Sequence, residues 1–477
     1  MAFFVYNELV KVVDDQIDIR KFLFIFASLL ALPVALFLIQ NRVGIFSLAF
    51  GKNANIVVDA GSSFATSTYS WKNLAQGGEE DGRMLGCCIT QIAKLKPEYI
   101  RIDHVFDYYK VLNRDQNGKL VFNWAQLDLT LQDIMASGAK PFISISYMPL
   151  VISSGSVTDL PRDWSEWELI VQKLVEHISG RNGLAISDVY YEVWNEPDLF
   201  GDFKAGKGKN YLDLYYHTHN GALRASNVLP FRIGGPATTG HYKNWLEPLL
   251  KFVKQNSLRF DFYSYHTYSL DLSQFESDFL EAREILGKYP PYSNIEILVT
   301  EFGITGENDK RYDTSFSAIH NLAVYSVLEG KAARVFTFEI KDGPGPEKYW
   351  GRWGLLTHEK WGTPETKPRY MSLEFLNKMS GNNVNVAGLG SWVKGFAKEE
   401  NGVIRLLLVN YDPHNKHYEV VPIKFINLPF RKFKYTREEF QGKKTEKLMD
   451  IGSDAWEVVE GMDPNSALIL ELSPLTP

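Results

Sequence analysis

The amino-acid sequence predicts an α/β fold: a (β/α)₈ TIM barrel followed by a C-terminal β-sandwich, with an N-terminal transmembrane helix. Three observations carry this prediction. Eight short runs of β-branched and aromatic residues alternate with helical patterns, this alternation stops near residue 380, and an uncharged apolar stretch precedes the first run. A doubly wound sheet is the alternative for the repeated unit, but the glycine fingerprint expected after its first strand is missing.

The composition is typical of a large folded protein. Of the 477 residues, 45% are hydrophobic and 14% are aromatic, which is enough to bury a sizeable core. The net charge of −6 argues against a nucleic-acid partner, because a phosphate backbone requires a basic surface. Cys87 and Cys88 are adjacent, so no disulfide framework can be read from them, and they are expected to be buried thiols rather than a redox pair. The sequence does not indicate an oligomeric state.

The N-terminus predicts a membrane anchor. Residues 22–39 form an 18-residue stretch without charge, close to the roughly 20 residues that a spanning helix needs. We expect a cytoplasmic segment at 1–21, an anchor at 22–40 and the remainder outside the membrane. A cleaved signal peptide is the alternative, although the residues before the apolar stretch are numerous and include four acidic side chains.

The barrel is predicted to occupy residues 53–380. Between the third and fourth strands, Asp163 and Glu166 form a capping-box pattern, apolar residues follow at helical spacing to Ile178, and Gly180 ends the run. This pattern predicts a helix that packs on a sheet. The eight candidate strands are residues 55–61, 98–104, 141–147, 188–194, 231–236, 260–266, 295–301 and 333–340.

The pattern changes after residue 383. Short strands are separated by turn residues, with no long helical period, so residues 381–477 are predicted to form a β-sandwich.

Ionisable side chains stand at the ends of several predicted barrel strands. Asn195 and Glu196 follow the fourth strand, and Glu301 ends the seventh. Because the carboxyl ends of barrel strands meet at one mouth, the two glutamates are expected to flank one small group, as cleavage of a glycosidic bond requires. The second strand contributes Arg101 and His104, and the sixth contributes His266 and Tyr268.

The motif "WNEP" at 194–197, followed by "TEFG" at 300–303, resembles the retaining glycoside hydrolases of clan A. Within that clan the sequence is most similar to family 39, which includes β-xylosidases, α-L-iduronidases and exopolysaccharide hydrolases. The likeness covers most of residues 55–477. It implies that Glu196 is the general acid/base and Glu301 the nucleophile, with no cofactor and no metal.

The resemblance also implies substrate contacts. Asn195 would contact the sugar 2-hydroxyl, while His266 and His104 would orient sugar hydroxyls or neighbouring carboxylates. In the same scheme, Arg101 keeps Glu301 charged and Tyr268 donates a hydrogen bond to it. Two plainer interpretations stay open: Arg101 as a structural partner of Asp103, and His266 as a core histidine.

The chain departs from the clan at the eighth strand, where a tryptophan commonly lines the sugar site. Here the strand ends at Phe338, so either Phe338 or a loop tryptophan, Trp353 or Trp350, is expected to take its place. Charged residues follow in the same loop. Glu339, Lys341 and Asp342 could contact a charged sugar or pair with one another.

The sequence therefore predicts a membrane-anchored, outward-facing retaining glycoside hydrolase that cleaves an oligo- or polysaccharide. Two alternatives are a non-catalytic polysaccharide-binding or export subunit, and a transglycosylase. Scattered histidines and the absence of H-E-x-x-H and C-x-x-C motifs give no support to a metal centre. The sugar, the linkage and the choice between internal and terminal cleavage depend on loop shapes.

Overall fold

The computed structural model describes residues 51–64 and 69–475. The strands are β1 (Ile56–Phe64), β2 (Asn73–Gln76), β3 (Tyr99–Ile102), β4 (Leu112–Arg114), β5 (Leu120–Phe122), β6 (Lys140–Ile145), β7 (Val189–Val193), β8 (Phe231–Thr238), β9 (Phe262–Tyr268), β10 (Glu296–Gly303), β11 (Arg334–Phe338), β12 (Asn382–Ala387), β13 (Val393–Glu400), β14 (Val403–Asn410), β15 (Glu419–Ile426), β16 (Lys432–Glu439), β17 (Lys444–Asp450), β18 (Trp456–Met462) and β19 (Ser466–Pro474). The helices are α1 (Ile89–Lys94), α2 (Ala125–Ala136), α3 (Trp164–Ile178), α4 (Tyr211–Arg224), α5 (Lys243–Gln255), α6 (Leu272–Gly287), α7 (Ser315–Leu328) and α8 (Pro368–Leu376), with 3₁₀ turns at Lys310–Asp313 and Glu359–Trp361.

Eight parallel strands close a barrel in the order β10-β11-β2-β3-β6-β7-β8-β9. Helices connect most of the strands, as the alternating sequence pattern predicts. Side chains fill the barrel interior: the rings of Phe142, Tyr190, Phe262 and Phe336 are fully buried there and pack against one another at centroid distances of 4.9 to 5.7 Å. The predicted barrel is confirmed.

The prediction of the first barrel strand is wrong. Of the predicted residues 55–61, all but the first fall in β1, which pairs antiparallel with β12 and parallel with β15 in the second sheet. The barrel begins instead with β2, which pairs with β11 and β3. β2 is a buried strand of four residues, "NLAQ", without a β-branched side chain, whereas β1 has the stronger strand pattern. Residues 51–64 consequently belong to the sandwich side of the chain, not to the barrel predicted from residue 53.

The second sheet has nine strands in the order β17-β16-β19-β14-β13-β12-β1-β15-β18. It folds over on itself, because Trp456 on β18 contacts Phe433 and Tyr435 on β16 at ring distances of 5.5 and 4.8 Å although the two strands stand far apart in the sheet order. Apolar side chains from both halves fill the space between them. The predicted C-terminal sandwich is therefore present, with β1 as an additional strand.

The barrel and the sandwich share a buried junction. Phe396, Leu407 and Tyr411 of the sandwich pack into the same apolar cluster as the barrel helices. Beside them, Lys398 Nζ lies 2.6 Å from Oε1 of Glu329, and the two side chains are 0% and 3% exposed. Continuous packing and a buried ion pair make the two parts one structural unit.

Helix α3 begins as the sequence predicts. Asp163 is the N-cap, and its Oδ1 accepts a hydrogen bond from the Ser165 backbone N–H at 2.8 Å. Glu166 does not close the capping box, because its carboxylate accepts hydrogen bonds from Arg114 Nη2 at 2.7 and 2.8 Å. The apolar face of the helix, including Trp167 and Leu174, is buried.

The predicted membrane anchor at residues 22–39 and the segment 1–21 lie outside the described residues. Within residues 51–64 and 69–475, no helix combines the length and apolar character needed to cross a membrane.

The two adjacent cysteines are joined. Cys87 and Cys88 form a disulfide, in which Cys88 is buried and Cys87 is exposed. The expectation of two buried thiols is therefore wrong. A bond between sequence neighbours closes no loop of chain, so no spacing between cysteines indicates it.

Candidate active site

A cavity of about 680 Å³ opens at the carboxyl ends of the barrel strands. Its lining comes from the loops after β2, β3, β6, β7, β8, β10 and β11, and from the last residues of β9 and β10. Six of the eight predicted site residues line it, namely Glu196, Glu301, Asn195, His104, Tyr268 and Trp353. The other two, Arg101 and His266, contact the glutamates from behind.

Glu196 and Glu301 meet in this cavity. One carboxylate oxygen of each, together with a ring nitrogen of His266, lies within 4.8 Å of the others. Glu196 has a φ of 45°, a left-handed conformation that is uncommon outside glycine. Its backbone is fixed by an N–H bond to Ala237 O at 2.9 Å and by a bond from the Phe200 N–H at 2.7 Å. Backbone strain of this kind persists where surrounding contacts hold a functional side chain in place.

Arg101 connects the two glutamate-bearing strands. Its side chain is fully buried, and Nη1 donates to Glu301 Oε1 at 2.8 Å while Nη2 donates to Asn195 Oδ1 at 2.7 Å. The third bond runs from Nε to Glu192 Oε2 at 2.7 Å. The planar guanidinium thereby holds three side chains in fixed relative positions. Its direct partners are Glu301, Asn195 and Glu192, and not Asp103 as the plainer interpretation proposed.

Asn195 is held from both sides. Its Oδ1 accepts from Arg101, and its Nδ2 donates to the Tyr147 hydroxyl at 3.0 Å. Asn195 nevertheless lines the cavity beside Glu196. Each amide atom can form one further hydrogen bond, so the side chain is oriented and still available to a ligand hydroxyl.

His266 and Tyr268 project from β9 toward the glutamates. His266 Nδ1 lies 2.8 Å from Glu196 Oε1 and 3.6 Å from Glu301 Oε2, and the Tyr268 hydroxyl donates to Glu301 Oε2 at 2.8 Å. Burial disfavours the imidazolium, but the Glu301 and Glu196 carboxylates outweigh it and raise the pKa of His266. His266 is therefore a polar member of the site and not an isolated core histidine.

Burial dominates the ionisation of Glu301. Removal from water raises its pKa to about 7, although nearby His266 and Arg101 both favour the charged form. The free site therefore takes up a proton near neutral pH.

His104 follows β3 and lines the same cavity. Its Nδ1 lies 2.9 Å from Asp107 Oδ2, and its ring stacks on Tyr108 at 4.0 Å. Next to it, Asp103 also lines the cavity, and its buried Oδ1 has no hydrogen-bond partner among the described residues. Asp103 is thus a buried carboxylate in the cavity wall with one unsatisfied acceptor.

Phe338 and Trp353 occupy the end of the eighth strand. Their ring centroids are 5.2 Å apart, and both residues line the cavity, whereas Trp350 does not. Arg369 fixes them from behind, since its Nη1 donates to the backbone carbonyls of both Phe338 and Trp353 at 2.7 Å. Phe338 and Trp353, two of the three residues predicted to replace the clan tryptophan, thus lie together at the cavity.

The charged residues after β11 have other partners. Lys341 Nζ lies 2.7 Å from Glu80 and 2.8 Å from Glu359, and Asp342 accepts from Lys367 at 2.9 Å. Glu339 accepts from Gln76 at 3.1 Å. None of Glu339, Lys341 and Asp342 lines the cavity or pairs with another of the three, so both expectations for this loop are wrong.

Two groups of side chains bring potential metal ligands together in the described part of the chain: Glu196, His266 and Glu301, and separately Glu80, His358 and Glu359. In the first group Arg101 and Tyr268 donate to Glu301. In the second, Lys341 donates to both glutamates. A cationic side chain, Arg101 in the first group and Lys341 in the second, thus already binds carboxylates of each group.

Comparison with known proteins decides the family. The family model described as "Glycosyl hydrolases family 39" matches residues 83–321, half of the chain. The chain belongs to glycosyl hydrolase family 39. The predicted resemblance to this family is therefore confirmed.

One sequence relative matches more than half of the chain. A β-xylosidase of Caldicellulosiruptor saccharolyticus is 27% identical over 321 residues, which are 61% of this chain and 63% of that protein. The match thus spans a little less than two thirds of the relative's length.

Solved structures share the fold. A family 39 enzyme from Xanthomonas axonopodis pv. citri superposes with a TM-score of 0.71 at 21% identity, over 89% of this chain and 98% of that chain. A monomeric β-xylosidase from Caulobacter crescentus CB15 gives a TM-score of 0.71 at 20% identity, over 89% and 100%. The barrel and the following sandwich are therefore a shared architecture.

Sequence reasoning missed several residues of this family 39 site. Glu192 interrupts a strand of buried apolar residues, and a buried charge needs a partner, so its pairing with a cation was predictable. Glu79 and Arg352 also line the cavity, but they come from irregular loops. No periodic pattern indicates where such loops lie.

Proposed function

We propose that the protein is a retaining glycoside hydrolase that cleaves an oligo- or polysaccharide by double displacement. The observation that carries this proposal is the separation of the two carboxylates, whose nearest oxygens lie within 4.8 Å of one another. Retaining enzymes hold their carboxyl groups about 5 to 5.5 Å apart, whereas inverting enzymes need roughly 6.5 to 9.5 Å to admit a water molecule between acid and base.

In the first step Glu301 is the nucleophile. A carboxylate oxygen of Glu301 forms a bond to the anomeric carbon while the glycosidic bond breaks. Glu196 transfers its proton to the departing oxygen, so the leaving group is released as an alcohol. Arg101 and Tyr268 hold the attacking carboxylate in place through their hydrogen bonds to its two oxygens.

In the second step the glycosyl ester on Glu301 is hydrolysed. Glu196, now ionised, removes a proton from a water molecule, whose oxygen bonds to the anomeric carbon as the ester bond breaks. Glu301 leaves as a carboxylate and Glu196 regains its proton. Two inversions give net retention of configuration, and no other reactant is needed.

A mechanism-based 2-deoxy-2-fluoro-glycoside tests this proposal. The fluorine slows the second step more than the first, so the wild-type protein should accumulate one covalent sugar per chain on the peptide that contains Glu301. The Glu301→Gln variant should stay unlabelled. Absence of both labelling and turnover across a panel of glycosides would favour the non-catalytic polysaccharide-binding subunit instead.

β-Xylosides are the first substrates to test. The Caldicellulosiruptor relative bears the name β-xylosidase, and Asn195, Asp103 and His104 present polar atoms to the cavity where sugar hydroxyls would bind. Release of xylose from an aryl β-xyloside, with the configuration of the first-formed product followed by NMR, measures both the substrate and the stereochemical course.

Transglycosylation is a second candidate, favoured by an apolar surface beside Glu196. Val157, Leu199 and Phe200 line this side of the cavity, and Leu199 and Phe200 are 60% and 41% exposed. A sugar acceptor could stack there and replace water in the second step. Product analysis with and without added acceptor sugars distinguishes transfer from hydrolysis.

We further propose that residues 22–39 anchor the protein in a membrane with the catalytic barrel outside. The support is the length and apolar character of this stretch. Membrane fractions should retain the full-length protein after a carbonate wash, and a protease added to intact cells should reach the barrel. Release by the wash, or protection in intact cells, would contradict the anchor or its orientation respectively.

A further inference from the structure

The side of the cavity next to the nucleophile contains a closed ion pair. Arg352, from the loop after β11, donates through Nε to Glu79 Oε2 at 3.2 Å and through Nη2 to Glu79 Oε1. Its Nη1 donates to Asn308 Oδ1 at 3.1 Å, and the guanidinium carbon lies 3.4 Å from the centroid of the Trp353 ring. All three nitrogens and one face of the guanidinium are thus engaged.

This pair stands where the glycone would bind. Glu301 would bond to the anomeric carbon of the glycone, and the strands that follow β10 around the barrel are β11 and β2, whose loops contribute Arg352 and Glu79. Glu196 and the apolar surface after it lie toward the leaving group. A substituent on the glycone ring would therefore meet Arg352 before any other cation.

Apart from His104, the other acid–base groups on the cavity are mainly carboxyl groups. Among the described residues that line it, Arg352 is the sole lysine or arginine, while Glu79, Asp103, Glu307 and the two catalytic glutamates are acidic. His104 is paired with Asp107 at 2.9 Å. Like charges brought together at a binding site cost several kcal/mol, so an anionic sugar meets repulsion and finds no free cation.

We propose that the Glu79–Arg352 pair makes the enzyme selective for uncharged glycones and excludes uronides. This inference rests on the proposed function and names its substrate class. Arg352 would bind a uronide carboxylate well if it were free, because guanidinium and carboxylate form two parallel hydrogen bonds. The carboxylate of Glu79 already accepts these hydrogen bonds from Arg352. The specificity therefore comes from a protein carboxylate that takes the place of the uronide carboxylate.

Glu339 lies behind the pair and bears on the choice of variants. Burial, and next the charge of Glu79, raise the pKa of Glu339 well above its ordinary value, while the charge of Arg352 lowers it. Without Glu79 it could ionise and take over the pairing. A double variant, Glu79→Gln with Glu339→Gln, therefore accompanies the single one.

The test measures kcat/KM of the full-length protein on pairs of 4-nitrophenyl glycosides whose glycones differ in charge. The pairs are β-glucoside against β-glucuronide and β-galactoside against β-galacturonide, and the β-xyloside is a compact neutral reference. For wild type, kcat/KM for the uronide should be at least about 100-fold below that of the neutral sugar. Glu79→Gln, or the double variant, should improve the uronide relative to the neutral sugar by about 10-fold or more, mainly through KM.

Glu307→Gln is the matched control, because it removes one negative charge from the cavity rim and leaves Arg352 paired. Glu307→Gln should change the ratio of kcat/KM for the uronide to kcat/KM for the neutral sugar clearly less than the Glu79 variants do. Wild-type preference for a uronide, or an unchanged ratio in both Glu79 variants, overturns the inference. If Glu301 is still labelled by a fluoro-glycoside in that case, only the charge selectivity fails; without labelling or turnover, the proposed function fails with it.

Discussion

The Nδ1 atom of His266 lies 2.8 Å from Oε1 of Glu196. The two side chains come from β9 and from the turn after β7, so the barrel itself sets their distance. Through this bond, His266 fixes the direction in which Glu196 presents its proton, and a proton can move between the two atoms. The acid is thus oriented by a buried neighbour and not by solvent.

Glu196→Gln should separate substrates by leaving group. An activated aryl glycoside departs without protonation, so its first step should proceed at a rate close to wild type, whereas a poor leaving group should react about 10²- to 10⁴-fold more slowly. Pre-steady-state release of the aryl group, compared with turnover of an alkyl glycoside or oligosaccharide, measures the difference.

An equal loss on both classes of substrate would contradict the acid role of Glu196. Glu192→Gln serves as the comparison variant, because it alters β7, which precedes Glu196, and the Arg101 network without touching the leaving group. Its losses should not depend on the leaving group.

The activity should decline on the acid side of neutrality. Glu301 must be ionised to attack, and burial raises its pKa to about 7. Below that pH the protonated form accumulates, so kcat/KM should fall by roughly tenfold per pH unit. A pH profile of kcat/KM with an uncharged aryl glycoside checks this. An acid limb near the ordinary glutamate range would show that Arg101 and His266 outweigh burial.

Tyr268→Phe should move that acid limb upward. The hydroxyl donates to Glu301 Oε2 at 2.8 Å and stabilises the charged carboxylate, so its removal should raise the pKa of Glu301 further. One hydrogen bond of ~1.4 kcal/mol corresponds to about one pH unit. Tyr370→Phe, which loses a bond to Gln91 O at 2.8 Å outside the cavity, is the control and should leave the limb in place.

Arg369→Met should destabilise the protein strongly. This buried guanidinium donates to the carbonyls of Phe338 and Trp353, and no carboxylate in the described part of the chain pairs with it, so its loss leaves buried acceptors unsatisfied. We expect the free energy of unfolding to fall by about 3 kcal/mol or more. Denaturant titration of this variant is compared with Arg224→Met, whose half-exposed side chain should contribute less than about 1 kcal/mol.

Most of the barrel was predictable because strands two to eight are short, apolar and separated by amphipathic helices. β2 was not, since four buried residues without β-branching carry no strand signal, and β1 was misassigned because a strong strand pattern does not say which sheet receives it. At the site, Glu196 and Glu301 were found from their positions at strand ends. The Arg101–Glu192 bond and the Glu79–Arg352 pair depend on side-chain directions that spacing does not encode.

The placement of β1 has a consequence for how the chain is made. Val57 pairs with Ala387 and with Lys424, partners that leave the ribosome more than 300 residues later. The earliest described strand must therefore wait, unpaired, until nearly the whole polypeptide exists, and a late chain closure of this kind is slow because distant segments have to find one another. A chain truncated after the barrel would leave β1 without partner strands, so we expect the sandwich to be required for a soluble product.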